Sequence, residues 1–458
     1  MSRICSFFLF ACVLSAEPAD WIWSARYVIT ENPQHRVIEN GAVAIRAGRI
    51  AGVGTKAEID ARFQARQRLD RPDAILAPGL INTHTHAAMS LFRGIADDLK
   101  LQDWLEKFIF PAEAKNVSAE FVRWGTRLGC LEMLLGGTTT FTDMYYFEDV
   151  VAEATKEAGM RGVLGETIIG FPVADNKTPA EALAFTEKYL TRFRNDPLIV
   201  PAVAPHALYT NSDETLKASR ALADKYRAPL IIHLSETKKE NDDTQAKRHM
   251  SPTQVLDSLG VLTGRTLAAH CVWVDETDMG ILKSRGTGIA HCPSSNMKLA
   301  SGIAPVTRML ELDLAVGLGP DGPAGSNNDF NLFEEMDLAA KLQKVAKLDP
   351  QVVPATAALE MATIRGARAL GLEKEIGSLE DGKRADLILV RLDRPNAVPL
   401  YDPISQMVYA LKAGDVRDVM VEGKPLVRDG RILTLNVPQI LAKAAEYRAK
   451  IAASLKAQ

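Results

Sequence analysis

The stretch INTHTHAAMS, residues 81–90, sets His84 and His86 one residue apart, directly after an apolar run. On an extended chain residues i and i+2 point to the same side, so both imidazoles aim at one place. Neutral imidazole is the commonest metal ligand in proteins and suits zinc or ferrous iron. A bare H-x-H pair is a weak motif in a chain with 8 histidines among 458 residues. A lone strand-end histidine is more often a satisfied core residue than a ligand, so the surroundings must decide.

The surroundings repeat the pattern. Eight β-like runs follow one another: ILAPGLINTHTH, TTTFTDM, RGVLGETII, LIVPAVAPH, PLIIHLSE, TLAAHCVWV, GIAHCP and LAVGLGPD. His84 and His86 end the first, His206 ends the fourth, and His233 ends the fifth with Glu236 just beyond. His270 lies in the sixth, His291 in the seventh, and Asp321 ends the eighth. Only His35 and His249 fall elsewhere, and they read as surface residues.

The elements that position these groups are strands alternating with helices. Helix-patterned segments follow the runs, for example 119–135, 149–158 and 212–227, the last opening on Ser212 as an N-cap. Repeated β–α units predict an α/β fold of the (β/α)8 TIM-barrel type over residues 78–374. An open doubly wound sheet is the alternative, but the glycine-rich dinucleotide loop that would support it is missing from the sequence. In such barrels catalytic groups sit where strands end. His84, His86, His233, His270 and Asp321 are therefore expected to converge on one divalent metal ion, zinc first and iron second. Cys271 and Cys292 each follow a histidine by one residue and should point away from the metal, toward the helix layer.

Both chain ends are β-rich. Residues 17–77 alternate short apolar runs with turns and show no helical period, and residues 375–458 repeat the style before a final helix from about 437 to 455. Together they predict a composite β-sandwich beside the barrel. Residues 1–16 pair Arg3 with an apolar stretch from Ile4 to Leu14 and then small residues, the pattern of an export signal. On that reading the protein is periplasmic or extracellular. A lipidated Cys12 is the alternative fate, and a mis-assigned start would leave the protein cytoplasmic. A net charge of −3 gives no nucleic-acid footprint, and no later stretch is long and apolar enough to span a membrane. Five widely spaced cysteines make neither a disulfide framework nor a structural zinc site.

The motif set PGLINTHTH, HLSET, AAHCVWV, HCPSSNMKL and GLGPDGPAGSNN covers the whole central domain and resembles the amidohydrolase superfamily. Within it the stretch HTHAAMSLFRGIADDLKLQDWLEKFIFPAEAK is most similar to the 5-methylthioadenosine/S-adenosylhomocysteine deaminase group, which has chlorohydrolase-like and other aminohydrolase relatives. The resemblance implies that Glu113 holds ribose hydroxyls, Trp104 lines a nucleoside pocket and His206 contacts the substrate. Read without it, Glu113 is a solvated helix-start residue and Trp104 is core. Related barrels often bridge a second metal with a lysine after the fourth strand; LIVPAVAPH has none, so a single ion is expected. Members that accept S-adenosylhomocysteine tend to carry arginines after the third strand. GETIIGFPVADNKTPAEA has no arginine and only Lys177, a poorer partner for a carboxylate.

The chemistry so implied is hydrolytic deamination of an adenosine-type nucleoside. Asp321 and His291 would orient water, Asp321 would take its proton, and Glu236 would protonate the ring nitrogen. Read alone, Glu236 is a first-turn helix carboxylate. Two rivals carry different outcomes. A hydrolase of another heterocycle (guanine, pterin, cytosine or a chlorinated triazine) would share the metal residues and release another group. A secreted binding protein that has lost catalysis would have no need of a full donor set. Barrels of this type often pair, which leaves a homo-oligomer open.

Overall fold

The computed structural model describes residues 16–456. The proposed export segment, with Cys12, lies outside them apart from Ala16. Strands β1 (Glu17–Ile29), β2 (Val37–Arg46), β3 (Arg49–Thr55) and β4 (Phe63–Pro78) open the chain. Eight short strands follow: β5 (Leu80–Thr85), β6 (Thr138–Tyr145), β7 (Arg161–Ile168), β8 (Ile199–Pro205), β9 (Leu230–Leu234), β10 (Thr266–His270), β11 (Gly288–His291) and β12 (Val316–Leu318). They pair in parallel, in sequence order, and β12 returns to β5 through Leu318 and Asn82 to close a barrel. Among the strand–helix units, the helix at Asp213–Tyr226 is capped by Ser212, whose hydroxyl accepts the Thr215 amide, as the sequence implied.

The last strands, β13 (Leu387–Arg391), β14 (Val416–Val421), β15 (Lys424–Arg428) and β16 (Arg431–Ile432), join the first four. The β-domain expected from both chain ends is there. Its strands form one hydrogen-bonded sheet of order β16-β15-β14-β13-β4-β1-β2-β3. The period-2 alternation of β13 explains its two faces: Leu387 and Leu389 enter a core with Trp23, Val43 and Leu76, while Ile388 and Val390 face the barrel side. The sheet curls until its two hairpin turns meet. A Cβ on Gly423 would lie 2.8 Å from Gly48 Cα, and both residues have positive φ (+70° and +78°), so only glycine fits at this seam. One helix was not foreseen, Lys56–Arg62. Its capping box, Thr55 with Glu58, is legible in TKAE, but the flanking strands dominate the local pattern. The final helix runs Val437–Lys456. No helix among the described residues is long and apolar enough to cross a membrane.

A buried charge cluster fastens the barrel to the sheet. Arg161, which opens β7, donates to Asp386 at 3.0 Å, to Glu422 at 2.6 Å and to the Pro197 carbonyl at 3.0 Å. Its side chain is 8 % exposed. Removing one partner of such a cluster strands the other charges in low dielectric. Arg161→Met is expected to lower the unfolding free energy by about 3–5 kcal/mol, read by chemical denaturation; a loss under about 1 kcal/mol, the range of an exposed ion pair, would show that water reaches the cluster.

Candidate active site and metal centre

The barrel interior is marked by a cluster that takes Ile81, Met144, Val163, Ala202, Ile231, Leu267 and Ala290 from seven different strands. Side-chain parity counted from these residues explains which site groups need help. Ile231 and Ala204 point inward, so His233 and His206, two residues on, follow by simple alternation. His84 and His270 do not, since Ile81 and Ala269 give them the opposite parity. Two devices re-aim them. On β5 the pairing steps from Asn82↔Phe141 to Thr85↔Asp143, so one extra residue bulges there. On β10 the backbone at His270 is left-handed, φ +72°. Ser235, Cys271 and Asp321 are also left-handed, at +50°, +48° and +65°. Strain of this kind in non-glycine residues persists where surrounding packing over-determines it, and it concentrates at functional sites.

The five residues read as ligands do come together. His84, His233 and His270 form one group, and His84, His86 and Asp321 another, each with its ligand atoms within 4.8 Å of one another. Asp321 Oδ1 lies 3.3 Å from Nε2 of both His84 and His86. Such separations are ones that two atoms reaching a common zinc ion at about 2.0–2.1 Å can adopt. Second contacts set the imidazoles. His86 Nδ1 donates to the Met144 carbonyl at 2.7 Å, His233 Nδ1 to the His206 carbonyl at 2.9 Å, and His270 Nδ1 pairs with Asn296 Oδ1 at 3.0 Å. Each contact leaves the Nε2 lone pair for an ion, the arrangement usual around metal-bound histidine. Both ring nitrogens of His84 are buried with no hydrogen-bond partner. The donor set therefore fits a divalent metal ion.

The need for a cation is also visible in the proton affinities. Burial pushes Asp321 upward, yet the imidazoles of His84 and His86, 3.3 Å away, hold it well below the usual carboxylate range. Burial would depress His86, but Asp321 outweighs it and pushes the imidazole up to about 9. Burial lowers His84 to about 4 and, with its neighbours, depresses His233. Glu236 goes the other way: burial, then the charge of Asp321, push it up to about 8, so it carries a proton at neutral pH. Its Oε2 lies 3.9 Å from His270 Nε2. His291 is buried, with neither ring nitrogen partnered, and burial lowers it to about 3.

A cavity of about 580 Å³, its mouth included, opens over this centre and is lined by His86, His233, His270, Asp321 and Glu236. The three residues assigned to substrate by resemblance line it as well: Trp104, Glu113 and His206. Trp104 and Glu113 come from a broken helix in which a π-helical turn, Leu105–Ile109, separates two α-helical pieces. Trp104 Nε1 donates to the Ala324 carbonyl at 2.8 Å. Glu113 is buried, not solvated; Tyr145 donates to it at 2.6 Å, and burial pushes it up to about 7. His206 Nδ1 lies 3.1 Å from Thr210 Oγ1. Cys130, Cys271 and Cys292 are free and buried, and Cys271 packs in the outer core shared with the helices. His35 and His249 are exposed.

Several supporting groups escaped the sequence reading. Ser295 donates to Asp321 Oδ2 at 2.7 Å, and Glu335 accepts from the neighbouring Ser294 amide at 3.2 Å. Asp143 accepts the Ala87 amide at 2.5 Å and so holds the turn after the H-x-H pair. Asp143 was accessible in principle, because it sits at the end of the second run just as the histidines end theirs. Ser295 and Asn296 lie within HCPSSNMKL, but nothing in their type marks them as supports.

A parallel barrel that gathers imidazoles and a carboxylate at its C-terminal face, beside a protonated glutamate, is the architecture of a metal-dependent hydrolase. The amidohydrolase family profile matches residues 75–426, and the chain belongs to that family. It is 47 % identical over 419 residues to 5-methylthioadenosine/S-adenosylhomocysteine deaminase 1 of Syntrophus aciditrophicus, covering 92 % of this chain and 94 % of the relative. Among solved structures, an adenosine deaminase from Xanthomonas campestris with bound zinc superposes with a TM-score of 0.94 at 39 % identity, over 96 % of this chain and all of the other. The zinc complex of atrazine chlorohydrolase TrzN from Arthrobacter aurescens TC1 follows, with a TM-score of 0.86 at 25 % identity, over 93 % of this chain and 100 % of that one.

Asn296 offers a test of the support. Asn296→Ala removes the acceptor that fixes the His270 tautomer, and metal affinity is expected to fall about 10–100-fold in a chelator competition. Unchanged affinity would show that His270 is oriented by other means.

Proposed function

We propose that the protein is a hydrolytic deaminase of adenosine-type nucleosides that works with zinc and releases ammonia. The observation that carries this reading is Glu236: a buried carboxyl, pushed up to about 8, that lines one cavity together with the metal donors and a second buried carboxyl, Glu113. The relatives named as adenosine or 5-methylthioadenosine/S-adenosylhomocysteine deaminases support the nucleoside. The zinc-bound neighbours support the metal.

His84, His86, His233, His270 and Asp321 would hold the ion. When bound, it lowers the pKa of water toward about 7 and supplies a nucleophile near neutral pH. The protein's own groups do the rest. Asp321, fixed by Ser295 at 2.7 Å and by the Gly322 amide at 2.7 Å, accepts the proton from water. His291, with both nitrogens free, orients that water. Glu236 gives its proton to the ring nitrogen next to the carbon that bears the amino group, so that carbon can accept hydroxide. The amino group leaves as ammonia with the proton held on Asp321, and the hydroxyl proton of the tetrahedral adduct returns to Glu236. Glu113 accepts hydrogen bonds from the ribose hydroxyls, Trp104 packs beside the nucleoside, and His206 contacts it from the β8 side.

Two results test the proton donor. Glu236→Gln is expected to lower kcat about 10²–10⁴-fold while metal content stays that of the wild type; surviving activity would remove Glu236 from the mechanism. The acid form of Glu236 is required, and its pKa is raised to about 8. The basic limb of the kcat/KM profile should therefore fall as pH rises through about 8. A kcat/KM profile flat to pH 10 would contradict the assignment.

A further inference from the structure

The proton donor sits on an irregular turn, and a side chain outside the substrate cavity holds that turn. After β9 the chain passes through Ser235, left-handed at φ +50°, to Glu236 and then to Thr237, which caps the helix Lys238–Arg248. The carbonyl side of the turn is fixed by backbone: the Ser235 oxygen accepts the Val272 amide at 3.0 Å and the Trp273 amide at 2.9 Å. The amide side is fixed by a side chain. Glu240 Oε2 accepts the Glu236 amide at 2.9 Å. Its second oxygen, Oε1, is buried without a hydrogen-bond partner.

Ordinary helix capping does not account for this contact. In a capping box the third helical residue returns its carboxyl to the amide of the cap. Glu240 is that third residue, and its own amide does donate to Thr237 Oγ1 at 3.2 Å. Its carboxyl passes Thr237 and reaches the amide of the proton donor, one residue further back. Glu240 is 7 % exposed and lies on a separate recess behind the turn, with Leu208, Thr237 and Thr244. The cavity over the metal centre is lined by Glu236 and not by Glu240. A buried amide without an acceptor is costly, and a left-handed residue persists only where its surroundings over-determine it. The bonds to Ser235 need no particular side chain. The bond to Glu236 needs an acceptor on a long side chain at position 240.

Resting on the deaminase reading, we propose that Glu240 is a positioning residue: it clamps the Glu236 backbone so that the carboxyl of Glu236 meets the ring nitrogen of the substrate. It lies outside the substrate cavity and acts through Glu236. The clamp needs an acceptor oxygen, not a charge, and glutamine offers that oxygen on a side chain of the same length. Burial pushes Glu240, like Glu236, up to about 8, so the two carboxyls titrate in one range and only a variant separates them.

The test compares Glu240→Ala, Glu240→Gln and Thr237→Ala with the wild type. Bound zinc, thermal stability and the pH dependence of kcat and KM are read for ammonia release from 5′-methylthioadenosine and adenosine. A reacting group displaced by about 1 Å loses about 10²-fold in rate. Glu240→Ala should therefore lower kcat by about 10²-fold, with KM and bound zinc as in the wild type. Glu240→Gln should recover most of that loss and keep the basic limb of kcat/KM at about 8, since that limb belongs to Glu236. Thr237→Ala, which removes the cap and leaves the clamp, should lower thermal stability without the loss in kcat. Wild-type kcat in Glu240→Ala, glutamine as poor as alanine, a basic limb that vanishes in Glu240→Gln, or an equal loss of kcat in Thr237→Ala would each overturn the clamp, with the deaminase reading intact. Ammonia from neither nucleoside with the wild type would overturn that reading, and the clamp's role in it as well.

Discussion

The site is organised by one carboxylate buried among imidazoles. Asp321 is 4 % exposed and faces His84 and His86 at equal distances of 3.3 Å. An ionised carboxylate in such a place needs positive charge close by, because its desolvation cost otherwise far exceeds any hydrogen-bond gain. Protons on imidazole supply some of that charge, and a divalent ion supplies more while keeping the rings neutral. Most of the surrounding structure follows from this constraint. The carbonyls of Met144 and His206 and the amide oxygen of Asn296 hold the rings of His86, His233 and His270 through Nδ1, which leaves each Nε2 for the ion. Burial first, and the negative charge of Asp321 second, raise Glu236 to about 8.

Holding that arrangement costs backbone strain, and the fold places the strain where it is well supported. Left-handed residues at Ser235, His270, Cys271 and Asp321 and the bulge in β5 all lie at the C-terminal ends of barrel strands. Below them the interior is closed by small and branched apolar side chains such as Ala202, Ala269, Val163 and Ile231. The rigid floor fixes where the strands end, and the irregular ends decide where side chains point. The sheet built from both chain ends carries no residue of the metal centre. Its contribution is to clamp the barrel, through the Arg161 cluster and the apolar face that includes Ile388 and Val390.

Much of this was legible in the residues. Strand–helix alternation gave the barrel because buried parallel strands read as apolar runs and their helices as periodic segments. Histidines at the ends of those runs gave the centre because their chemistry is rare elsewhere in the chain. The simple i, i+2 argument for His84 and His86 reached the right place for an incomplete reason. Parity from Ile81 would have turned His84 outward without the bulge, and bulges leave no reliable mark in a single sequence. His270 depends in the same way on a left-handed backbone that its residue type does not announce. Glu113 was read as solvated in the absence of the family resemblance, because its burial comes from Tyr145 and Tyr146, distant in sequence. Long-range supports such as Asp143 and Ser295 depend on tertiary proximity, which local pattern does not encode.

The central claim is that an ion held by His84, His86, His233, His270 and Asp321 makes the water reactive and that Glu236 completes the step. The most direct test is a zinc titration of chelator-stripped protein, with bound metal and ammonia release from 5′-methylthioadenosine read on each sample. Activity should be negligible at the start, rise in proportion to bound zinc, and level off at one ion per chain. Full turnover in the stripped protein, or activity that ignores the bound metal, would contradict the account.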